Sequence, residues 1–148
     1  MNDRKARIAE LYAASKERIL LLDGAWGVML QKMGLGENDY RNQHFNAGAY
    51  PGQMKGNNDI LCLTRPDCVT QLHDAYYDAG ADISETNTFS ATSIAMDDYN
   101  LTLEDVIDIN HAGARLARAA ADKWTEKTPD KPRFAAGSIG PLNKMLSM

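Results

Sequence analysis

Apolar residues recur at helical spacing in the first ~16 residues: Ala6, Ile8, Leu11, Tyr12 and Ala13 alternate with Lys, Arg and Glu, which predicts an amphipathic helix. The pattern then changes. Ile19-Leu20-Leu21-Leu22 is an unbroken apolar run stopped by Asp23-Gly24, the composition of a strand buried on both faces, as in parallel sheets. Residues 25–32 predict a short helix ended by Gly34 and Gly36. Residues 34–64 are rich in Gly, Asn, Asp and Tyr and show little period. A loop of that length inside a compact domain tends to be functional or disordered. Thr64-Arg65-Pro66-Asp67 restarts a helix, with Pro near the first turn and an acid to meet the dipole. Val69, Leu72, Tyr76 and Ala79 form one face of it, and Gly80 is its stop.

Residues 81–87 read as a second strand whose carboxyl end is crowded with Glu85, Thr86, Asn87 and Thr88. Thr102-Leu103-Glu104-Asp105 has capping-box spacing, with Asp where Glu or Gln is preferred. The helix it opens carries Val106, Ile109, Leu116 and Ala120 and frays near Trp124. After a turn-rich linker at 128–132, residues 134–139 make a third strand, ending at Gly140-Pro141. Strands that alternate with helices imply crossover connections and a parallel sheet, all carboxyl ends on one edge. That edge would gather Asp23-Gly24, Glu85 to Thr88 and Gly137-Ser138, where parallel α/β folds build their sites.

Composition narrows the classes. The 148 residues are 44% hydrophobic and 24% charged with net charge −4, a soluble globular mix. Basic residues are scattered, which argues against a nucleic-acid surface. No apolar run approaches a membrane span, and the start lacks the core of a signal peptide. With only Cys62 and Cys68, a disulfide scaffold is not expected. A cytoplasmic protein fits.

The candidate chemistry centres on two places. Asp23, followed by Gly24-Ala25-Trp26-Gly27, could hold a substrate ammonium while the next N–H groups receive a carboxylate; equally, it could cap the next short helix. The polar row Glu85 to Thr88 needs partners at a strand end, either a substrate or a buried network that braces loops. Cys62 and Cys68 lack zinc-ribbon spacing and nearby ligating partners, and Cys68 falls inside a predicted helix as a core residue. His44, His73 and His111 are isolated in sequence; in the predicted helices, a surface or satisfied role is expected for His73 and His111. Gly24 and Gly27 form no dinucleotide or phosphate-loop pattern.

Longer stretches carry a resemblance. Arg18 to Gly27, the run Lys55-Gly56-Asn57-Asn58-Asp59-Ile60-Leu61, then Ala79-Gly80-Ala81-Asp82-Ile83-Ser84-Glu85-Thr86-Asn87-Thr88-Phe89 occur in order, followed by Ile94 to Tyr99 and Ala135 to Asn143. Together they resemble the homocysteine-binding domain of the homocysteine S-methyltransferases, most nearly the cobalamin-dependent methionine synthases among them. The resemblance implies a methyltransferase on a (β/α)8 TIM barrel, with homocysteine at the carboxyl-end rim. It also implies zinc, held by three cysteines near the last strands, which removes the thiol proton (pKa about 8.5 when free). Cobalamin, recharged from methyltetrahydrofolate, would bring the methyl group on another domain. By position, Asp23 would meet the homocysteine amino group, the amides of Gly24 and Ala25 its carboxylate, and Glu85 and Asn87 the same rim.

A barrel of this kind takes ~250 residues and eight strands, and three are read here. The expectation is therefore an incomplete (β/α)8 TIM barrel: an N-terminal helix over 1–17, then a partial homocysteine-binding domain over 18–148. It would hold the first three parallel strands with their crossover helices. The zinc cysteines have no counterpart, since Cys62 and Cys68 do not match them, so the chain alone is expected to be an inactive, truncated product. The tail adds a smaller departure, Leu142 and Met145 standing where the family has smaller or polar residues. The alternatives are a non-catalytic interaction module packing against another chain, or a small open α/β domain with a different ligand.

Overall fold

The computed structural model describes residues 3–142; residues 143–148, including the expected departure at Met145, lie outside it. Helix α1 (Asp3–Glu17) forms as its periodicity predicts, but its apolar face is not covered. Only the row Arg7, Leu11 and Ala14 is half-buried, while Ile8 and Tyr12 stay exposed. What anchors the helix is polar: the Arg7 guanidinium donates to Asp122 at 2.6 Å.

The predicted first strand is reduced. Leu22 makes a single parallel bridge to Ile83, the amides of Asp82 and Ile83 donate to the Leu21 carbonyl, and the Asp23 amide donates to the Ile83 carbonyl. Strand β1 (Ile83–Glu85) pairs in parallel with β2 (Phe134–Ala136), Ile83 opposite Phe134. Residues 21–23, β1 and β2 thus lie side by side in chain order and point the same way. The run 19–22 is not buried on both faces, however: Ile19 is 86% exposed and Leu21 55%. Among the described residues it has one strand neighbour and no cover beyond it. A short parallel α/β sheet is what the described residues form; a closed barrel is not seen among them.

Both later strands are also shorter than predicted, because their polar ends leave the ladder. The Thr86 amide still donates to the Ala136 carbonyl at 2.8 Å. Beyond it, side chains take over the pairing: the Thr86 hydroxyl accepts from the Ser138 amide, and the Thr88 hydroxyl donates to the Ser138 carbonyl.

Helix α2 (Trp26–Lys32) follows the first strand segment. The periodless stretch after it is ordered, not loose. It holds 3-10 turns at Glu37–Tyr40 and Asn58–Ile60 and the short helix α3 (Leu61–Thr64). The Glu37 carboxylate accepts from the amides of Met54 and Lys55, and Arg41 donates to the carbonyls of Tyr50 and Gly52. Side chain-to-backbone bonds of this kind need no repeat in the sequence. They deliver Tyr40, Phe45, Met54, Ile60 and Leu61 to the main core, beside Leu30, Val69, Leu72 and Ile109.

Helix α4 (Pro66–Asp78) ends as predicted. Gly80 adopts φ +107°, the Ala81 amide donates to the Tyr76 carbonyl and the Gly80 amide to Tyr77, a Schellman closure that favours glycine. A short helix α5 (Ser93–Met96) precedes α6 (Leu103–Lys127), which opens on a complete Thr102–Asp105 capping box. Asp105 therefore does the work of the usual Glu. The helix does not fray at Trp124: its indole N–H donates to Asp74 at 2.7 Å, and the Lys127 ammonium sits 4.0 Å over its ring. Helices α4 and α6 pack on each other and on the strands. At Gly113 the approach is so close that a Cβ would lie 2.6 Å from the Thr88 methyl, which brings α6 onto the strand tips.

At the opposite, amino ends of the strands sits an ionic knot. Asp82, with no exposed surface, receives both Arg18 nitrogens at 2.6 and 2.7 Å and the Leu21 amide at 2.9 Å. Lys131 lies 3.6 Å away. Burial alone would raise the Asp82 carboxyl, but the Arg18 guanidinium and these neighbours outweigh it and hold it low.

Candidate functional site

The strand tips converge as the sequence predicts. A cavity of about 690 Å³ opens there, lined among others by Gly24, Ala25, Trp26, Asp59, Glu85 and Asn87, with Ser138 from the third strand's end. Its size suits a whole small ligand. The wall carries the carboxylates of Asp59, Glu85 and Asp98 and, among the described residues, no Lys or Arg. Such a wall favours a cationic group.

Four of the five residues proposed from sequence, Gly24, Ala25, Glu85 and Asn87, line the cavity. Asp23 is one step removed, bonded to two residues that do. It does not cap α2, whose N-cap Ala25 makes no side-chain bond. Instead Asp23 Oδ2 accepts from Trp26 Nε1 at 2.8 Å, from the Ser84 hydroxyl at 2.5 Å and from the Glu85 amide at 3.0 Å. Its Oδ1 is sheltered from solvent and has no donor among the described residues. A carboxylate oxygen left so is costly, by roughly 1–3 kcal/mol, and is a ready acceptor for an incoming N–H.

The polar row at the end of β1 divides between the two roles open to it. Thr86 and Thr88 brace the loops: their hydroxyls bond each other at 2.7 Å and reach Ser138. Glu85 and Asn87 face the cavity, Asn87 donating to the Asn58 carbonyl at 2.7 Å and Glu85 accepting from the Ser138 hydroxyl at 3.4 Å.

Three participants escaped the sequence reading. Asp59 lies on the cavity wall, 6% exposed, and its carboxylate accepts the Ser90 amide. Burial pushes its pKa up to about 6. Ser84 and His73 form the second layer behind Asp23, His73 Nδ1 lying 2.8 Å from Ser84 Oγ. His73 is fully buried with Nε2 unpartnered among the described residues, so it is not at the surface, and the satisfied role is met only at Nδ1. Burial lowers its pKa to about 4, which keeps it neutral. The signal was there: His73 stands four residues after Val69 and four before Tyr77, on the buried face of α4.

The residues from 20 to 148 match the sequence model of homocysteine S-methyltransferase. The chain belongs to the homocysteine S-methyltransferase family. Solved structures agree in fold. The metallated form of the homocysteine methyltransferase MmuM from Escherichia coli aligns with a TM-score of 0.65 and 24% identity, covering 88% of this chain and 41% of that one. Its oxidized form aligns with a TM-score of 0.64 and 25% identity over 83% of this chain and 37% of that one. The chain thus spans about two fifths of the length of those structures.

A zinc ion does not fit the thiols described in this family member. Cys62 is buried, its thiol pushed up to about 12 by burial, and it donates to the Asn87 carbonyl at 3.3 Å. Cys68 is buried too and its thiol is raised by burial. A ligating thiol must lose its proton, and both sites oppose that. No group of three or more His, Cys, Asp or Glu suited to a metal occurs among the described residues. Nor is any described helix long and apolar enough to cross a membrane.

The two displaced pKa values give a test of the site's electrostatics. Asp59 rises from 3.8 to about 6, so its contribution to stability is present below 3.8 and lost as pH rises through 6. His73 falls from 6.5 to about 4, so its contribution is present above 6.5 and lost as pH falls through 4. The slopes oppose each other between pH 4 and 6. Asp59→Asn, which keeps an acceptor for Ser90, is expected to exceed the wild type by about 3 kcal/mol at pH 7 and to lose that advantage near pH 4. Urea midpoints across pH would show it; a difference independent of pH would contradict it.

Proposed function

We propose that this chain forms the amino-acid-holding part of a homocysteine methyltransferase site. In this reading the homocysteine ammonium reaches Asp23 Oδ1 and its carboxylate meets the amides of Gly24 and Ala25, neither of which donates to another described residue. Glu85 and Asn87 line the side of the ligand, and Trp26, Phe89, Met96 and Tyr99 from the same wall pack on its carbon chain. Because Asp23 lies one step behind the wall, the Trp26 side chain or the turn at Gly24 shifts to admit the ammonium. The observation that carries the reading is the sheltered, donorless Oδ1 beside a cavity walled by acids.

The described residues do not fit zinc; its ligands, and cobalamin with its methyltetrahydrofolate-dependent recharging, would come from other segments or chains. Recognition by this chain is then blind to sulfur. Calorimetry should find homocysteine and homoserine bound within about threefold of each other, and 4-mercaptobutyrate, which lacks the amine, bound at least ~10-fold more weakly. With zinc and methylcobalamin added, these residues alone should yield no methionine. Equal binding of mercaptobutyrate, or turnover, would overturn the proposal.

A second reading, a module that packs on another chain, is favoured by the exposed Ile19, Leu21, Leu22 and Ile139. Failure to bind any amino acid, together with a stable monomeric fold, would select it.

A further inference from the structure

The geometry points to Ser84 and His73 as a positioning pair that turns Asp23 so that Oδ1 faces the ligand amine. This rests on Asp23 receiving the amino group, as proposed above. Ser84 Oγ carries one hydrogen and lies 2.5 Å from Asp23 Oδ2, an acceptor that has no proton to give when ionised. The hydroxyl proton therefore goes to Asp23. Ser84 Oγ must then accept from His73 Nδ1 at 2.8 Å, which makes His73 the neutral Nδ1–H tautomer. The other ring nitrogen is left bare, in agreement with Nε2 having no partner.

This order excludes a nucleophilic triad, although Ser, His and Asp meet here. In a triad the histidine accepts the serine proton; here serine gives its proton to the carboxylate and accepts from histidine. Ser84 also has no exposed surface. The pair acts on orientation instead. Trp26 Nε1, Ser84 Oγ and the Glu85 amide all load Oδ2, and the Trp26 ring stands edge-on to His73 with centroids 4.6 Å apart. Three donors on one oxygen hold the carboxylate plane. Oδ1 is left as the acceptor without a donor among the described residues.

The test uses the full chain and two readouts. Nitrogen-15 shifts of the imidazole at pH 7 should show His73 protonated at Nδ1 only; an Nε2–H tautomer or an imidazolium would overturn the pair. Homocysteine titration should then show Ser84→Ala and His73→Leu about tenfold weaker than wild type. His73→Asn, whose amide can replace the Nδ1 donor, should restore affinity to within about threefold. A merely structural histidine would give leucine and asparagine variants that lose melting temperature alike and bind alike, which would overturn the role. If wild type binds and His73→Leu binds equally, only the pair fails. If wild type does not bind homocysteine at all, the Asp23 reading fails and the pair with it.

Discussion

Asp82→Ala is expected to lower the unfolding free energy by about 3 kcal/mol, the largest stability loss among the substitutions considered. The reason is what remains behind. Arg18, Lys131 and the buried Arg133 surround a position with no solvent exposure, and removal of the one anion leaves their charges facing each other. The loss stays at the low end for a broken buried pair because Arg18 and Lys131 are about one-third exposed and can turn to water. The Leu21 amide also loses its acceptor, which leaves the segment 21–23 held to β1 by its backbone bonds alone. Asp82→Asn keeps that acceptor and the volume, and should cost about 2 kcal/mol. Urea unfolding followed by circular dichroism measures both. A loss under ~1 kcal/mol for alanine would mean that the knot is solvated and does not hold the strands.

Asp23→Asn is expected to weaken homocysteine about 100-fold, since a charged acceptor for an ammonium contributes roughly 2–3 kcal/mol. The substitution also disturbs the bonds from Ser84, Trp26 and Glu85, so lost folding has to be separated from lost recognition. The amine-free analogue does this. Binding of 4-mercaptobutyrate should change by less than ~3-fold on the same substitution, because only the amine couples to Asp23. Equal losses for both ligands would assign Asp23 to loop architecture alone.

The sequence was most legible where one local rule decides the outcome. Pro66 and Gly80 bracket α4, and Thr102 with Asp105 opens α6. It was legible also in the placement of polar residues at strand ends, because alternation of strands and helices puts those ends on one edge. It was less so where partners come from far away. The run Ile19 to Leu22 states that a segment suits cover, but not what covers it, and Ile19 is 86% exposed. The stretch 34–64 lacks period because Glu37, Arg41 and Asn46 pin it through backbone groups, and no window on hydrophobicity reports such bonds.

At the site, Asp23 was visible as a carboxylate after a strand, yet its actual bonds were not. They depend on Ser84 61 residues away and on a tryptophan side chain turned back on its own loop. Asp59 lay inside the run Asn57-Asn58-Asp59, where asparagine-rich turns conceal it. Its burial follows from the fold of the whole loop, not from its neighbours in sequence.

In the proposed function the tips of the parallel strands hold the amino-acid end of homocysteine. A titration of the nitrogen-15-labelled chain with homocysteine, followed at each backbone amide, decides whether they do. The shifts should concentrate at Gly24, Ala25, Glu85 and Asn87, with little change at Asp82 and Lys131 on the far end of the strands. Shifts confined to that far end, or none at saturating ligand, would contradict it.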